Sequence, residues 1–387
     1  MKKLFVLSVI FICVWMTAWA ETHEFDLIGE YVKIYGDEVD ASMGSVSDAD
    51  LRKIVPDFNT EEILSGLAKG ENIFSVKAIG NAALKLFAGE IRNSLKSLIF
   101  IFAMGIFCTY LTNIQSSLEG HGATDTAFFV CYIVIAGIGA STFLDVVSCA
   151  KETISNLAMF MRTMVPISMA TLAASGALIS AGTFEVTVVA VIEITQWVLE
   201  YVFLPLIMMS AAMSLVNNLS KDLNAEKMVQ FMNKSTKWGI GVVMTLFVGV
   251  MGLQGIVSGS ADGLTLKLTK FATSNLIPLV GGALSETAET VMNCSVVIKN
   301  AVGVFGIIVV ALIVAVPVVK ISACLILFRL CAAILQMVCD KRIVKCISEF
   351  ADSISGIFAI LAVVAVMFII ILTIIINAGN SAMLLGK

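Results

Sequence analysis

Four polar side chains are predicted to share one face of an otherwise apolar helix. They are Glu185, Glu193, Gln196 and Glu200, and the residues around them are mostly valine, isoleucine and other apolar types. At about 100° per residue they fall at about 0°, 80°, 20° and 60° around the helix axis. Carboxylates inside a membrane are costly, so they normally face a bundle interior or a water-filled path, where they carry protons or pair with bases. The alternative is a helix at the membrane surface whose acids are simply hydrated.

Two lysines are the candidate partners of these carboxylates. The sequence contains a second copy of this region, and its corresponding positions have only apolar side chains, namely Val297, Phe305, Ile308 and Leu312. Lys299 and Lys320 lie in that second copy. Acids of one copy and bases of the other could therefore pair across their interface, which would offset part of the cost of desolvation. Snorkelling of the lysines to the lipid headgroups is the alternative.

No pattern in the sequence predicts an enzyme. A G-x-x-x-x-G-K-[ST] phosphate loop and an H-E-x-x-H zinc motif are both absent, and the two histidines, His23 and His121, are far apart. None of the nine cysteines forms a C-x-x-C motif and several lie in apolar runs, so they are predicted to be buried free thiols. We therefore expect no catalytic residues, no metal and no cofactor. Any energy for transport must come from an ion gradient or a partner.

The composition is that of a membrane protein rather than a soluble domain. Of the 387 residues, 58% are apolar and only 14% are charged, against about half and about a quarter in ordinary soluble domains. The formal net charge of −4 gives no reason to expect a nucleic acid partner. We predict an all-α polytopic protein of the cell membrane with about seven membrane segments.

The N-terminal stretch from Met1 to Ala20 has the three parts of a secretory signal peptide. Two lysines precede an apolar core, and Ala18-Trp19-Ala20 precedes an acidic stretch. An uncleaved signal anchor is the alternative, and in both cases the next segment is exported.

In residues 74–96, apolar residues recur at helical spacing opposite several bases. This pattern predicts an amphipathic helix that lies in the headgroup plane or packs on the exported segment.

Four of the five prolines mark a direct internal repeat. One constant shift along the chain, without a gap, brings Pro166 onto Pro278 and Pro205 onto Pro317, and duplications are common in transport proteins. Proline removes a backbone donor and clashes with the preceding turn, so we predict a kinked or broken membrane helix at each of the four. Exposed backbone at such a break would have to face protein or a watery cavity.

The repeat and the apolar runs divide the chain into seven parts. They are a signal peptide (1–20), an exported acidic segment (21–73), an amphipathic juxtamembrane helix (74–96), a first membrane span with its loop (97–126), membrane repeat 1 (127–237), membrane repeat 2 (238–352) and a terminal membrane span (353–387). An amphipathic connection that carries Lys151, Glu152 and Arg162 leads to Pro166.

Basic loops at 217–237 and 339–352 end the two repeats. Lysine and arginine are concentrated in the cytoplasmic loops of membrane proteins, so both loops are predicted to be cytoplasmic. A direct repeat puts equivalent parts on the same side of the membrane, and the two assignments therefore support each other. The C-terminus is then expected outside.

Several stretches of the sequence resemble one known family. They are Tyr201 to Ala211 (YVFLPLIMMSA), Gln254 to Gly281, Ile298 to Gly303 (IKNAVG) and Ala332 to Gln336 (AAILQ). Together with the leader and the polar exported arm, they make the chain similar to the stage III sporulation protein AE family of endospore-forming bacteria. The resemblance covers nearly the whole mature chain and is weakest between residues 21 and 70.

The resemblance implies a role and no reaction. Proteins of this family are the polytopic component of a complex that joins mother cell and forespore during engulfment and is thought to act as a channel or secretion-like conduit. The implied partners are ring-forming sporulation proteins, a cytoplasmic ATPase and the lipid bilayer, and the implied location is the mother-cell membrane around the forespore. The family supplies no catalytic residues, so the polar face at 185–200 is inferred from this sequence alone.

The leading hypothesis is a non-enzymatic membrane core component of that conduit. The alternative from another class is a secondary transporter of a small solute, with Glu193 or Glu200 as the proton carrier. A passive membrane scaffold is the third hypothesis, and it predicts that neutralising the glutamates of the polar face has no effect on sporulation.

Overall fold

The computed structural model consists of helices joined by short turns in the part of the chain that it describes. That part comprises residues 76–116, 121–219, 225–276 and 281–386 together with Ile63, Gly66 and Leu67. Its elements are α1 (Val76–Ser116), α2 (His121–Ala174), α3 (Leu178–Val198), a π-helix (Leu199–Phe203), α4 (Leu204–Leu219), α5 (Glu226–Leu276), α6 (Gly281–Leu335) and α7 (Lys341–Gly386). The predicted all-α class is confirmed. The signal peptide and nearly all of the exported segment lie outside the described residues.

α2 forms an antiparallel hairpin with the continuous rod made of α3, the π-helix and α4. Near the turn of this hairpin, Arg162 of α2 pairs with Glu193 of α3. Far from the turn, the Tyr132 hydroxyl of α2 donates to the carbonyl of Leu215 in α4 over 2.9 Å. The two arms of the hairpin therefore stay in contact along most of their length.

The turn of this hairpin is built from small residues. Gly176 has a φ of 90°, which lies in the left-handed region that glycine adopts at little cost. The Ser175 hydroxyl donates to the carbonyl of Leu172 over 2.6 Å, and this satisfies one of the acceptors that the end of α2 leaves without an intrahelical partner.

α6 and α7 form a second antiparallel hairpin. Near its turn, Arg329 Nη2 of α6 lies 2.6 Å from Asp352 Oδ1 of α7. At the other end, the buried Lys299 of α6 donates from Nζ to the carbonyl of Ile376 over 2.7 Å. α7 also packs on α2, α4 and α5, so it is the central helix of the bundle.

α5 and α1 complete the bundle, and each packs on different helices. α5 runs back along α4, where the Ser210 hydroxyl donates to Asn233 Oδ1 over 2.8 Å. α1 packs on α6 and α2, and a Cβ at its Gly105 would lie 3.0 Å from the side chain of Leu335.

A glycine allows α2 and α7 to approach closely. The face of Gly139 lies against the ring of Phe350, which in turn packs on Phe143 and Phe328 with ring centroids 6.0 Å and 6.3 Å away. Small residues permit such contacts between membrane helices, because the ring occupies the space that a side chain would take.

Five of the described helical segments are long and apolar enough to cross a membrane. They are Phe128–Ala174, Leu178–Asn218, Glu226–Gly255, Met292–Leu335 and Lys341–Ala378, with 30 to 47 residues each. At 1.5 Å per residue these lengths correspond to about 45–70 Å, whereas the hydrocarbon core is about 30 Å thick. The predicted total of about seven membrane segments is not confirmed.

The described prolines stand in different helical conformations. α2 continues through Pro166 and α6 continues through Pro317, so the predicted breaks at these two positions are not confirmed. Membrane helices tolerate proline where neighbouring helices hold both halves in place. Pro205 is the second residue of α4, which begins where the π-helix ends, and Pro278 lies outside the described residues.

The two basic loops meet at the same end of the bundle. Lys345 Nζ of α7 lies 3.4 Å from Glu226 Oε1 at the start of α5, and the Asn218 amide at the end of α4 donates to Glu349 of α7. Both repeat units contain two long helices before their loop. A structural correspondence of the two units is not confirmed, because their second prolines stand in different helical conformations.

Gly139→Ala is expected to destabilise the fold, whereas Gly137→Ala on the same helix is not. A Cβ at residue 139 would lie 2.7 Å from Cε2 of Phe350, while nothing lies within 4 Å of one at residue 137. Overpacking costs about 1–3 kcal/mol, and alanine at an open helix position gains up to about 1 kcal/mol over glycine. Thermal unfolding of the purified protein in detergent measures both effects. Equal melting temperatures for the two variants would contradict this contact between α2 and α7.

Candidate functional site

The predicted polar face lies against two bases of α2. Lys151 and Arg162 are separated by about three helical turns, which places them within about 20° of each other on one face of the helix. Glu193 and Glu200 also lie on one face, about two turns from each other. Because the two arms of the hairpin are antiparallel, Arg162 meets Glu193 and Lys151 meets Glu200.

Arg162 binds Glu193 in a two-point contact. Its Nε lies 2.5 Å from Glu193 Oε1 and its Nη2 lies 3.0 Å from Oε2. The planar guanidinium matches a carboxylate in this arrangement, which makes the pair stronger and more directional than a single hydrogen bond. The side chains of Arg162 and Glu193 are 42% and 50% exposed, so the pair lies on the outside of the bundle.

Gln196 joins this pair to a second one. Its Oε1 accepts from Arg162 Nη2 over 2.7 Å, and its Nε2 donates to Glu200 Oε2 over 3.4 Å. The other oxygen of Glu200 lies 3.1 Å from Lys151 Nζ, and the Glu200 side chain is only 10% exposed. Five side chains therefore form one connected network, which we call the hairpin network.

The π-helix positions the buried end of the hairpin network. Glu200 belongs to the segment Leu199–Phe203, where the backbone is π-helical. Pro205 has no N–H to bond back to the preceding turn, and the wider i→i+5 turn is the local response that we assign to it. The regular helical spacing assumed from the sequence therefore ends at Val198.

The other predicted site residues lie elsewhere. Glu185 is exposed on α3 and outside the hairpin network, and Lys320 is half-buried on α6. Lys299 donates to a carbonyl of α7. Glu193 and Glu200 take their partners from α2, so the predicted pairing with Lys299 or Lys320 across the two repeats is not confirmed.

The sequence pattern does not identify Lys151 and Arg162 as the partners. It predicts that both lie in an amphipathic connection and favours more distant lysines as partners of the acids. The missed signal is local, because Ser175 and Gly176 lie close to the midpoint between each base and its acid. A turn there folds α3 back onto α2 and brings the two pairs together.

The hairpin network suits the stabilisation and presentation of charge rather than a reaction. Two carboxylates and two bases leave it without a net formal charge, and the amide of Gln196 couples the two pairs because it donates to one and accepts from the other. In the described residues, histidine, cysteine, aspartate and glutamate form no group of three that could hold a metal ion. The network can hold the hairpin closed and present a polar patch on an apolar helix.

Comparison with known proteins identifies the family. Residues 58–379 match the family described as stage III sporulation protein AE, which is well over half of the 387 residues. The chain belongs to this family. The family resemblance of the sequence is therefore confirmed, and the match includes the whole hairpin network.

One relative shows the extent of the similarity within the stage III sporulation protein AE family. The chain is 28% identical over 316 residues to stage III sporulation protein AE of Bacillus subtilis (strain 168). The alignment covers 82% of this chain and 79% of that protein. No solved structure matches the chain.

Glu200→Gln is expected to lower the free energy of unfolding, whereas Glu185→Gln is expected to leave it unchanged. The first substitution removes the carboxylate that Lys151 binds, while Glu185 lies outside the network. Lys151 is 57% exposed, so solvent screens the pair and the loss should be about 1 kcal/mol or less. Thermal unfolding in detergent at low and high salt measures it. An equal effect of both substitutions would show that the hairpin network does not stabilise the hairpin.

Proposed function

We propose that this chain is an integral membrane core component of the channel- or secretion-like complex between mother cell and forespore. In this proposal the hairpin network forms part of a polar surface that the chain shares with its neighbours in the complex. The observation that carries the proposal is the outward position of the Arg162–Glu193 pair, since both side chains are about half exposed.

The outward Arg162–Glu193 pair on an apolar helix requires contact with water or with another protein. Ionisable groups on a helix of membrane character are costly against lipid, so they face protein or a water-filled cavity. The interior of this bundle offers neither to Glu193, because α2, α6 and α7 meet in apolar contacts such as Gly306 against Met164 and Leu372. A polar path that uses the hairpin network therefore lies between this chain and another molecule.

The length of the helices supports a role that extends beyond the bilayer. Segments of 38 to 47 residues, such as Lys341–Ala378 and Phe128–Ala174, are about 57–70 Å long. Helices in structures are tilted by about 40° at most, which does not fit such lengths into a core of about 30 Å. Parts of α2, α3, α6 and α7 therefore project from the membrane, where they offer surfaces to soluble partners.

The proposed partners differ between the two sides of the membrane. The two basic loops meet at one end of the bundle, and the positive-inside rule assigns that end to the cytoplasm. We infer that the cytoplasmic ATPase of the complex acts at this end, and that the ring-forming sporulation proteins contact the opposite end. The membrane would be that of the mother cell around the forespore.

A charge exchange between Arg162 and Glu193 tests the proposal in sporulating cells of the source organism. Arg162→Glu and Glu193→Arg each place two like charges together and should reduce the yield of heat-resistant spores at least about tenfold. Both side chains are about half exposed in this chain, where an ion pair contributes only about 1 kcal/mol or less to stability, so the expected loss comes from the surface shared with neighbours and not from unfolding. The double exchange restores opposite charges and should recover most of the yield, while Glu185→Arg serves as a control for a new charge on the same helix.

The alternatives predict other outcomes of this experiment. A passive scaffold predicts normal spore yields when Glu193 and Glu200 are both changed to glutamine. A permease predicts that the purified protein alone takes up a solute into vesicles when a pH gradient is applied, and that Glu193→Gln abolishes this uptake. Our proposal predicts no uptake by the protein alone and a loss of spores in both single exchanges, and normal spores in the single exchanges would contradict it.

A further inference from the structure

The first turns of α5 carry an exposed face of lysines and aromatic side chains that the proposed function does not use. Lys227, Phe231, Lys234 and Trp238 follow one another at alternating i+4 and i+3 spacing, so they lie on one face of the helix. Lys237 borders this face, and all five side chains are exposed. We propose that this face binds the headgroup of an anionic phospholipid.

The described acids at this end of the bundle are already engaged by other groups. Glu226, on the first turn of α5, lies 3.4 Å from Lys345. Asp340 pairs with Arg342, and Asp352 pairs with Arg329. Glu349 accepts a hydrogen bond from Asn218. In the described part of the chain, Lys227, Lys234 and Lys237 thus have no carboxylate partner of their own, and their exposed charge faces outward.

The face lies at the depth that headgroups occupy. The stretch from Trp238 to Gly255 contains no charged side chain, and as a helix it is about 27 Å long. This length matches the hydrocarbon core of about 30 Å. Trp238 and the lysines just before it therefore lie at the membrane interface, where tryptophan is enriched and where basic residues next to a span attract anionic lipids.

The aromatic side chains favour a lipid over an acidic protein as the ligand. Phe231 is 64% exposed and Trp238 is 75% exposed, and neither packs into the chain's own core. An acidic peptide would satisfy the lysines and leave these two rings in the interface. A phospholipid satisfies both, since its phosphate binds the lysines while its glycerol and upper acyl chains cover the rings.

Space for the acyl chains is present below the headgroup. Gly241 and Gly249 continue the same face of α5, and no atom lies within 4 Å of the position that a Cβ would take at either. The opposite face is held in the bundle by the buried Ile240 and Phe247. The lipid therefore lies against a fixed helix surface without displacing any part of the protein.

Quenching of Trp238 fluorescence by brominated lipids tests the proposal on the full chain. Trp15→Phe, Trp19→Phe and Trp197→Phe leave Trp238 as the single reporter, and the protein is reconstituted in phosphatidylcholine. Equal mole fractions of brominated phosphatidylglycerol and brominated phosphatidylcholine are then compared. We expect stronger quenching by phosphatidylglycerol, with a selectivity of about fivefold for each lysine near the surface at low salt.

Two doubly substituted variants of equal charge change provide the control. Lys234→Gln with Lys237→Gln should reduce the selectivity at least about fivefold, whereas Lys85→Gln with Lys341→Gln should leave it unchanged. High salt should also reduce the selectivity of the unsubstituted protein, because it screens the attraction between the lysines and the anionic lipid. This measurement does not depend on whether a substituted variant folds. Equal quenching by the two lipids, or equal selectivity in both double variants, would overturn the proposal.

Discussion

The constraint on which the rest of this structure depends is that a carboxylate on an apolar helix needs a base. Without a base, the carboxylates of Glu193 and Glu200 would be costly on α3 and the π-helix. Their partners, Arg162 and Lys151, lie on the preceding helix. The turn around Gly176 folds α3 back onto α2, so both pairs form within one hairpin. The hairpin network is thus a local solution to a local cost, and it leaves α6 and α7 free to build an apolar core.

Much of the fold follows from the sequence, because helicity, apolar length and the basic loops are properties of single segments. The shared face of Glu193, Gln196 and Glu200 also follows, since it needs only the period of a helix. The partners of these side chains do not follow from period alone, because pairing depends on where the chain turns. The sequence predicts a break at Pro166, whereas the chain turns later, at Gly176. That difference changes the facing bases from Lys299 and Lys320 to Arg162 and Lys151.

The two positions that the predicted repeat aligns have different environments in the structure. Glu193 is half exposed on the outside of the bundle, while Phe305, which the predicted repeat aligns with it, is fully buried. One unit therefore supplies a polar outer surface and the other supplies the core against α7. Pro205 and Pro317 show a similar contrast, because a π-helix precedes the first and an α-helix continues through the second.

The central claim is that water reaches the face of Glu193 and Gln196, whereas Phe305 is shielded from water in the core. Reaction of single cysteines with a membrane-impermeant maleimide tests it most directly, in a variant without native cysteines that is purified and held in lipid nanodiscs. Our account predicts fast labelling of Glu193→Cys and Gln196→Cys and no labelling of Phe305→Cys, because the first two lie on the outer face and the last is in the core. Labelling of Phe305→Cys at the rate of Glu193→Cys, or protection of Glu193→Cys, would contradict it.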